Sequence, residues 1–234
     1  MMKKLSVAIL SAAFAAAPTV ASADTVLGLY IGAQGWQADY DGRYGIGSDI
    51  SPYYIDNDDT MTSFYAALEH PVPLVPNLKI QQNSLEVDSP HGMSAGNFDN
   101  TDYTLYYEIF DNDIIAIDVG INGKKFDGEA EVIYGDIIES VSFSGVVPTA
   151  YAAARVGLPF TNWTVTSEAK AVSFDDSSLH DVQAALEYRF VDNLAIDMSV
   201  SAGYRSMRVE LDDVDGIYSD LNFDGPFVAL DIHF

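Results

Sequence analysis

Apolar residues recur along most of this chain at every second position, not at helical spacing. Ile115, Ile117, Val119 and Ile121 fall on one face, and Ala116, Asp118, Gly120 and Asn122 on the other. Val182, Ala184, Leu186, Tyr188 and Phe190 oppose Asp181, Gln183, Ala185, Glu187 and Arg189 in the same way. So do Leu194, Ile196, Met198, Val200, Ala202 and Tyr204 against Asp197, Ser199, Ser201, Gly203 and Arg205. The chain closes with Val228, Leu230, Ile232 and Phe234 alternating with Phe227, Ala229, Asp231 and His233. A period of two is that of a strand, whose successive side chains point to opposite faces. The pattern predicts ten strands, at 25–36, 60–70, 78–86, 101–110, 114–125, 147–158, 163–174, 179–190, 194–209 and 218–234.

Alternation alone also describes a soluble antiparallel sheet, so the connections have to decide. Short turns fall at Pro71 to Pro76, Asp111-Asn112-Asp113, Phe160-Thr161-Asn162 and Asp192-Asn193. Longer polar segments separate the other strand ends, at 37–59, 86–100, 126–146 and 210–219, with a short link at 175–178 as the exception. Short connections at one end and long ones at the other are the signature of an outer-membrane barrel. The expected fold is therefore all-β: a transmembrane antiparallel up-and-down β-barrel with short periplasmic turns and longer acidic extracellular loops. An even strand number puts both ends of the barrel on the periplasmic side. Segment 78–86 supplies the least lipid-facing surface, because it carries Lys79, Gln81, Gln82 and Asn83. Without it, the alternative is eight strands around a long plug.

The first 23 residues read as a secretory signal. Lys3 and Lys4 precede an apolar run from Leu5 to Ala17, and Ala21-Ser22-Ala23 matches an A-x-A cleavage site. Residues 1–23 are thus expected to be removed and 24–234 to form the barrel. The sequence contains no Cys, so no disulfide contributes to its stability. Beyond the signal no apolar run approaches the ~20 residues of a membrane helix.

Composition narrows the partners. Eleven Lys and Arg stand against 35 Asp and Glu, a net charge of -24, which excludes a nucleic-acid partner. A hydrophobic share of 48% equally excludes a disordered acidic tail. Under the predicted register, Glu69, Glu108, Asp118, Lys124, Arg155, Glu168, Lys170, Glu187, Arg189, Asp197, Arg205 and Asp231 face the lumen. A lipid-facing charge costs about 2–4 kcal/mol at the midplane, so the interior is where these side chains belong. There, seven acids and five bases are expected to brace the barrel. The surplus acid falls in connections, as at Asp39, Asp41, Asp49, Asp56, Asp58 and Asp59.

The C-terminal strand ends on Phe234, with Val228, Leu230 and Ile232 at alternate positions before it. A terminal aromatic on such a strand resembles the insertion signal of bacterial outer-membrane barrels, and Phe160, Trp163 and Phe190 are placed to join it in an interfacial ring. Gly203-Tyr204-Arg205, Leu211 to Gly216, Phe223-Asp224-Gly225-Pro226-Phe227, His233-Phe234 and Leu68 to Pro73 together resemble a family of small Gram-negative outer-membrane β-barrel proteins of unassigned function. The resemblance implies a fold and a location, and transfers no catalytic residue. Expected partners are outer-membrane lipid, lipopolysaccharide and the barrel-insertion machinery.

Four stretches invite chemistry. Gly92-Met93-Ser94-Ala95-Gly96 matches G-x-S-x-G, but that motif needs a following helix to present its serine, and none is predicted. His180 beside Asp175, Asp176 and Asp181 resembles the His and Asp groups of rim proteases, although Asp-rich turns also form for conformational reasons. Asp56 to Asp59 and Asp212 to Gly216 lack the bidentate Glu of an EF-hand, so only non-specific Ca²⁺ or Mg²⁺ attraction is expected there, and no cofactor. The sequence therefore points to a non-enzymatic envelope protein with a side-chain-filled lumen. The competing readings are a narrow cation-preferring pore and a rim enzyme acting on peptides or lipid A.

Overall fold

The computed structural model describes residues 27–46, 53–88, 94–112, 114–134, 137–174, 177–193, 195–214 and 217–234. The proposed signal segment lies outside them. Twelve strands follow in order: β1 (Gly28–Ile46), β2 (Tyr53–Glu69), β3 (Asn77–Ser84), β4 (Glu86–Asp88), β5 (Ser94–Asn97), β6 (Asn100–Asp111), β7 (Ile115–Tyr134), β8 (Ile137–Gly157), β9 (Trp163–Phe174), β10 (Ser177–Asp192), β11 (Asp197–Val214) and β12 (Ile217–His233). All pairings are antiparallel. Ten strands close a ring, in which β7 pairs with both β6 and β8 while β12 returns to β1. The β4–β5 hairpin stands apart from this ring and pairs through β5 with the far end of β7.

The seam between first and last strand keeps one register from Tyr30↔His233 to Ile46↔Ile217, interrupted at Gln37 and Ala38 opposite Pro226 and Gly225. At its short-turn end Phe234 N–H donates to Leu29 O at 2.9 Å, and the Tyr30 and His233 rings stack at 4.1 Å. The barrel thus has no open edge where lipid would meet unpaired backbone.

Segment 78–86, which raised the eight-strand alternative, is a stave. In β3, Lys79, Gln81 and Asn83 turn inward while Leu78 and Ile80 face out. Its polar content belongs to the lumen.

Several strands run much further than the alternation predicts. β1, β2, β7, β8, β11 and β12 are 17 to 21 residues long, against the roughly 9–11 needed to cross a bilayer. Most of the segments expected as loops at 37–59, 126–146 and 210–219 are strand extensions, and 86–100 holds the β4–β5 hairpin. The physical reason is a change of solvent along each strand. Near the short turns the outward positions are apolar: Leu29, Ile31, Ile121, Val182, Leu186, Val200 and Leu230 are all exposed. Further along, the same outward parity carries Gln37, Asp39, Asp41, Asp58, Asp127 and Glu129, while inward positions become Trp36, Ala38, Tyr40, Phe126, Val209, Leu221 and Phe223. The step of two continues, but hydrophobicity changes face. One half of the barrel is built for lipid and the other for water.

Turns at the lipid end are tight. Leu74 and Phe160 take left-handed backbone (φ 67° and 65°) at turn apices and are almost wholly exposed. Trp163 and Tyr188 pack with ring centres 4.8 Å apart beside them, with Phe190 and Phe234 also exposed at that end. Exposed aromatic residues at the ends of lipid-facing strands suit the interface between hydrocarbon and water.

Candidate functional site

The lumen is divided into three levels. In the middle, a chain of alternating charge crosses it. Arg205 on β11 grips Asp181 on β10 with two bonds, Nε to Oδ1 at 2.8 Å and Nη2 to Oδ2 at 2.7 Å. Lys124 on β7 donates to Asp181 (3.2 Å), Asp102 on β6 (2.9 Å) and Asn100 (3.0 Å). Lys170 on β9 continues to Asp102 at 3.0 Å and approaches Glu168 at 3.1 Å, and Glu168 pairs with Lys79 on β3. Four cations and three carboxylates from six strands are thereby linked in one line. Their remaining hydrogen-bonding capacity is taken up by neutral polar groups. Arg205 Nη1 reaches Gln34 and Ser63, both of its terminal nitrogens reach Asn83, Lys170 reaches Gln81, and Asn122 donates to Asp102. Burying unpaired charge is prohibitive, so such a line persists only when every member is satisfied.

Above it, towards the long hairpins, lies an apolar cap. Trp36, Tyr40, Met61, Phe126, Val147, Leu179, Met207, Leu221 and Phe223 project inward from the ring, and the hairpin adds Leu85, Val87 and Phe98. The base of the hairpin is closed where Leu85 N–H donates to Asp99 and Phe98 N–H donates to Leu85 O at 2.8 Å, and Asp127 N–H of β7 donates to Asp99 O at 3.0 Å. Arg205 joins cap to ion chain, because its guanidinium lies 4.7 Å from the Trp36 ring while Trp36 Nε1 donates to Gly225 O. Here the barrel is a packed protein core.

Below the chain the lumen opens into a vestibule of about 420 Å³ that reaches the short-turn rim at Asp111, Arg189, Asp197 and His233. Its walls carry Tyr30, Tyr65, Tyr106 and Tyr151 with Glu69, Glu108, Asp118, Glu168, Glu187 and Asp231, against Lys79 and Arg155. Tyr106 Oη donates to Glu69 at 2.8 Å, Tyr65 Oη to Asp231 at 2.7 Å, and Asn77 Nδ2 to Glu108 at 2.9 Å. Arg155 bonds Glu187 at 2.8 Å.

Of the twelve charged residues expected in the lumen, nine line this vestibule, namely Glu69, Glu108, Asp118, Arg155, Glu168, Glu187, Arg189, Asp197 and Asp231. Lys124, Lys170 and Arg205 belong to the ion chain. Lys79, Asp102, Asp111 and Asp181 are further interior charges beyond those twelve. Parity offered the signal for three of them. Asp102 shares its face with Glu108, Asp181 with Glu187, and Lys79 with Gln81, but Asp102 and Asp181 sit close to expected strand ends.

The other candidates are placed as follows. His180 is exposed on the outer surface while its neighbour Asp181 is buried in the ion chain, so the two do not meet. Asp175 and Asp176 lie outside the described residues. Of the G-x-S-x-G stretch, Gly92 and Met93 also lie outside, and Ser94–Asn97 is strand β5 with no helix after it among the described residues. Asp39, Asp41, Asp56 and Asp58 face each other in register across the β1–β2 hairpin, exposed to water. Residues 215–216 of the second acidic run are outside the described residues. Val228, Leu230 and Phe234 of the terminal strand are exposed and Ile232 is half-buried.

No protein-family model matches this sequence, and no curated protein does. Among solved structures, the translocator domain of autotransporter NalP from Neisseria meningitidis is similar in 88% of this chain and 88% of its own, at 10% identity and TM-score 0.49. Neisserial surface protein A matches 86% of this chain and 95% of its own, at 10% identity and TM-score 0.40. A Pseudomonas aeruginosa FadL homologue matches 89% and 90%, at 7% identity and TM-score 0.37. The barrel assignment rests on the closed strand pairing and the lipid-facing belt described above, and no function is taken from these proteins. This is an outer-membrane β-barrel.

Proposed function

We propose that this protein is a non-enzymatic envelope component whose barrel seals, and does not perforate, the outer membrane. The observation that carries this reading is the double obstruction of the lumen. An ion passing through would have to part the Arg205–Asp181–Lys124–Asp102–Lys170 line and then the apolar cluster of Trp36, Tyr40, Phe126, Leu179, Leu221 and Phe223. Barrels of about eight strands have interiors that side chains can fill, whereas open channels accompany about 16–18. Asp181 is taken up by the ion chain, so it does not serve as the carboxylate partner of His180 in a rim site.

Planar-bilayer recording tests it. Wild-type protein at high load is expected to show no unitary current, and an Arg205→Ala, Lys124→Ala variant to show intermittent openings as the obstruction loosens. Steady voltage-independent conductance from the wild type would support the pore reading instead.

A further inference from the structure

We propose that the periplasm-facing vestibule is a binding site for a small organic cation with an ammonium or guanidinium head. Its volume of about 420 Å³ falls in the range of small-molecule pockets, roughly 300–1,000 Å³. Its single mouth follows from the obstruction above it, so a ligand enters and leaves on the periplasmic side.

Charge selects the sign of the occupant. Eight carboxylates line the cavity against three permanently charged bases, and all three bases are already engaged, Lys79 with Glu168, Arg155 with Glu187 and Arg189 with Asp192. The neutral donors that serve Glu69, Glu108 and Asp231 satisfy hydrogen-bonding capacity without cancelling charge. A concave site walled by one sign of charge concentrates the opposite sign.

Asp118 marks the position of the head group. It lines the cavity directly opposite Glu108 in the β6–β7 ladder, and like charges so placed repel. Its Oδ1 is buried and has no hydrogen-bond partner within the protein, a costly state for a carboxylate oxygen. Arg155, two residues from the β8 position that pairs with Asp118, is bonded to Glu187 instead. A cationic head group beside the Asp118 carboxylate would offset the uncompensated charge there and the repulsion from Glu108 together.

The walls suit an organic cation better than a metal ion. Among the described residues no three His, Cys, Asp or Glu side chains converge as a metal cage would require. Tyrosine rings offer the alternative stabilisation: Lys79 already lies 4.8 Å from the Tyr65 centroid, and Tyr106 and Tyr151 pack 5.7 Å apart on the same wall. Cations are attracted to such ring faces, more strongly where water is excluded.

The test is calorimetric titration of the full chain in lipid nanodiscs at about 0.15 M salt, where surface attraction is screened beyond ~8 Å. The probes are agmatine, which carries both head groups, and glutarate as an anion of similar size. Saturable one-to-one agmatine binding is expected, with no glutarate binding. Asp118→Asn and Glu108→Gln should each weaken it at least about tenfold, and Asp58→Asn on the outer hairpin should leave it unchanged. Absent or non-saturable agmatine binding, or equal effects of Asp118→Asn and Asp58→Asn, overturns the proposal. Each variant is checked first for heat-modifiable gel mobility, and if Asp118→Asn does not fold, Glu108→Gln decides alone. Only the sidedness rests on the sealed-lumen reading. A conducting wild type that still bound agmatine would overturn that reading and leave the site standing.

Discussion

Arg205 shows how much a single side chain can carry in this barrel. It is 1% exposed, bidentate to Asp181, bonded to three neutral acceptors and stacked on Trp36. Truncation leaves Asp181 buried with only Lys124 to answer it, and breaking a buried pair from one side typically costs about 3–5 kcal/mol. Arg205→Ala is therefore predicted to lower the urea midpoint of the detergent-folded protein by that much stability. An Arg205→Met, Asp181→Leu double variant should lose clearly less, since both charges leave together. Equal loss in the two would show that packing, not charge pairing, dominates this position. At the outer end, Gly42 has φ 144° and its Cα faces Asp220 O so closely that a methyl group would collide with backbone. Gly42→Ala is expected to destabilise the β1–β12 pairing there, seen as faster amide exchange at residues 39–43 and 220–224 than in the wild type.

At the scale of the strand, the reversal of face polarity sets rules that a single hydropathy reading cannot state. Ile121 and Glu129 share the outward parity of β7, yet one meets lipid and the other water. Ile121→Arg is predicted to cost about 2–4 kcal/mol if it sits near the midplane, and Glu129→Arg less than ~0.5 kcal/mol. Refolding titrations into lipid vesicles measure both, and similar costs would remove the two-solvent description. The same reversal explains what the sequence left hidden. Alternation located all ten staves in their lipid-facing stretches because apolar outward residues stand out there. Beyond them, outward Asp and inward Tyr or Phe look like a polar connection, as at Asp39-Tyr40-Asp41, although the ladder continues without a slip. Asp102 is inconspicuous for the same reason, since it lies near the level where the pattern turns over. No sequence signal announces that Leu85, Val87 and Phe98 fold into the lumen, because their partners come from strands far away in the chain.

For the whole molecule, the cap implies that order extends well past the bilayer. Hydrogen exchange in nanodiscs is expected to protect the amides of 36–40 and 221–227 about as strongly as those of 182–190, despite their position in water. Rapid exchange in the first two segments would mean that the cap is not packed. Because the seam from Tyr30↔His233 to Ile46↔Ile217 passes through both solvents, its assembly has a directional problem. If the chain enters the bilayer from its short-turn side, the acidic outer halves of the long hairpins cross the hydrocarbon before the last stave docks on the first, with inward residues such as Tyr40, Phe126 and Phe223 still unpacked. Delivery of these outer halves, more than embedding of the short turns, is then expected to set the pace at which the chain reaches its finished form.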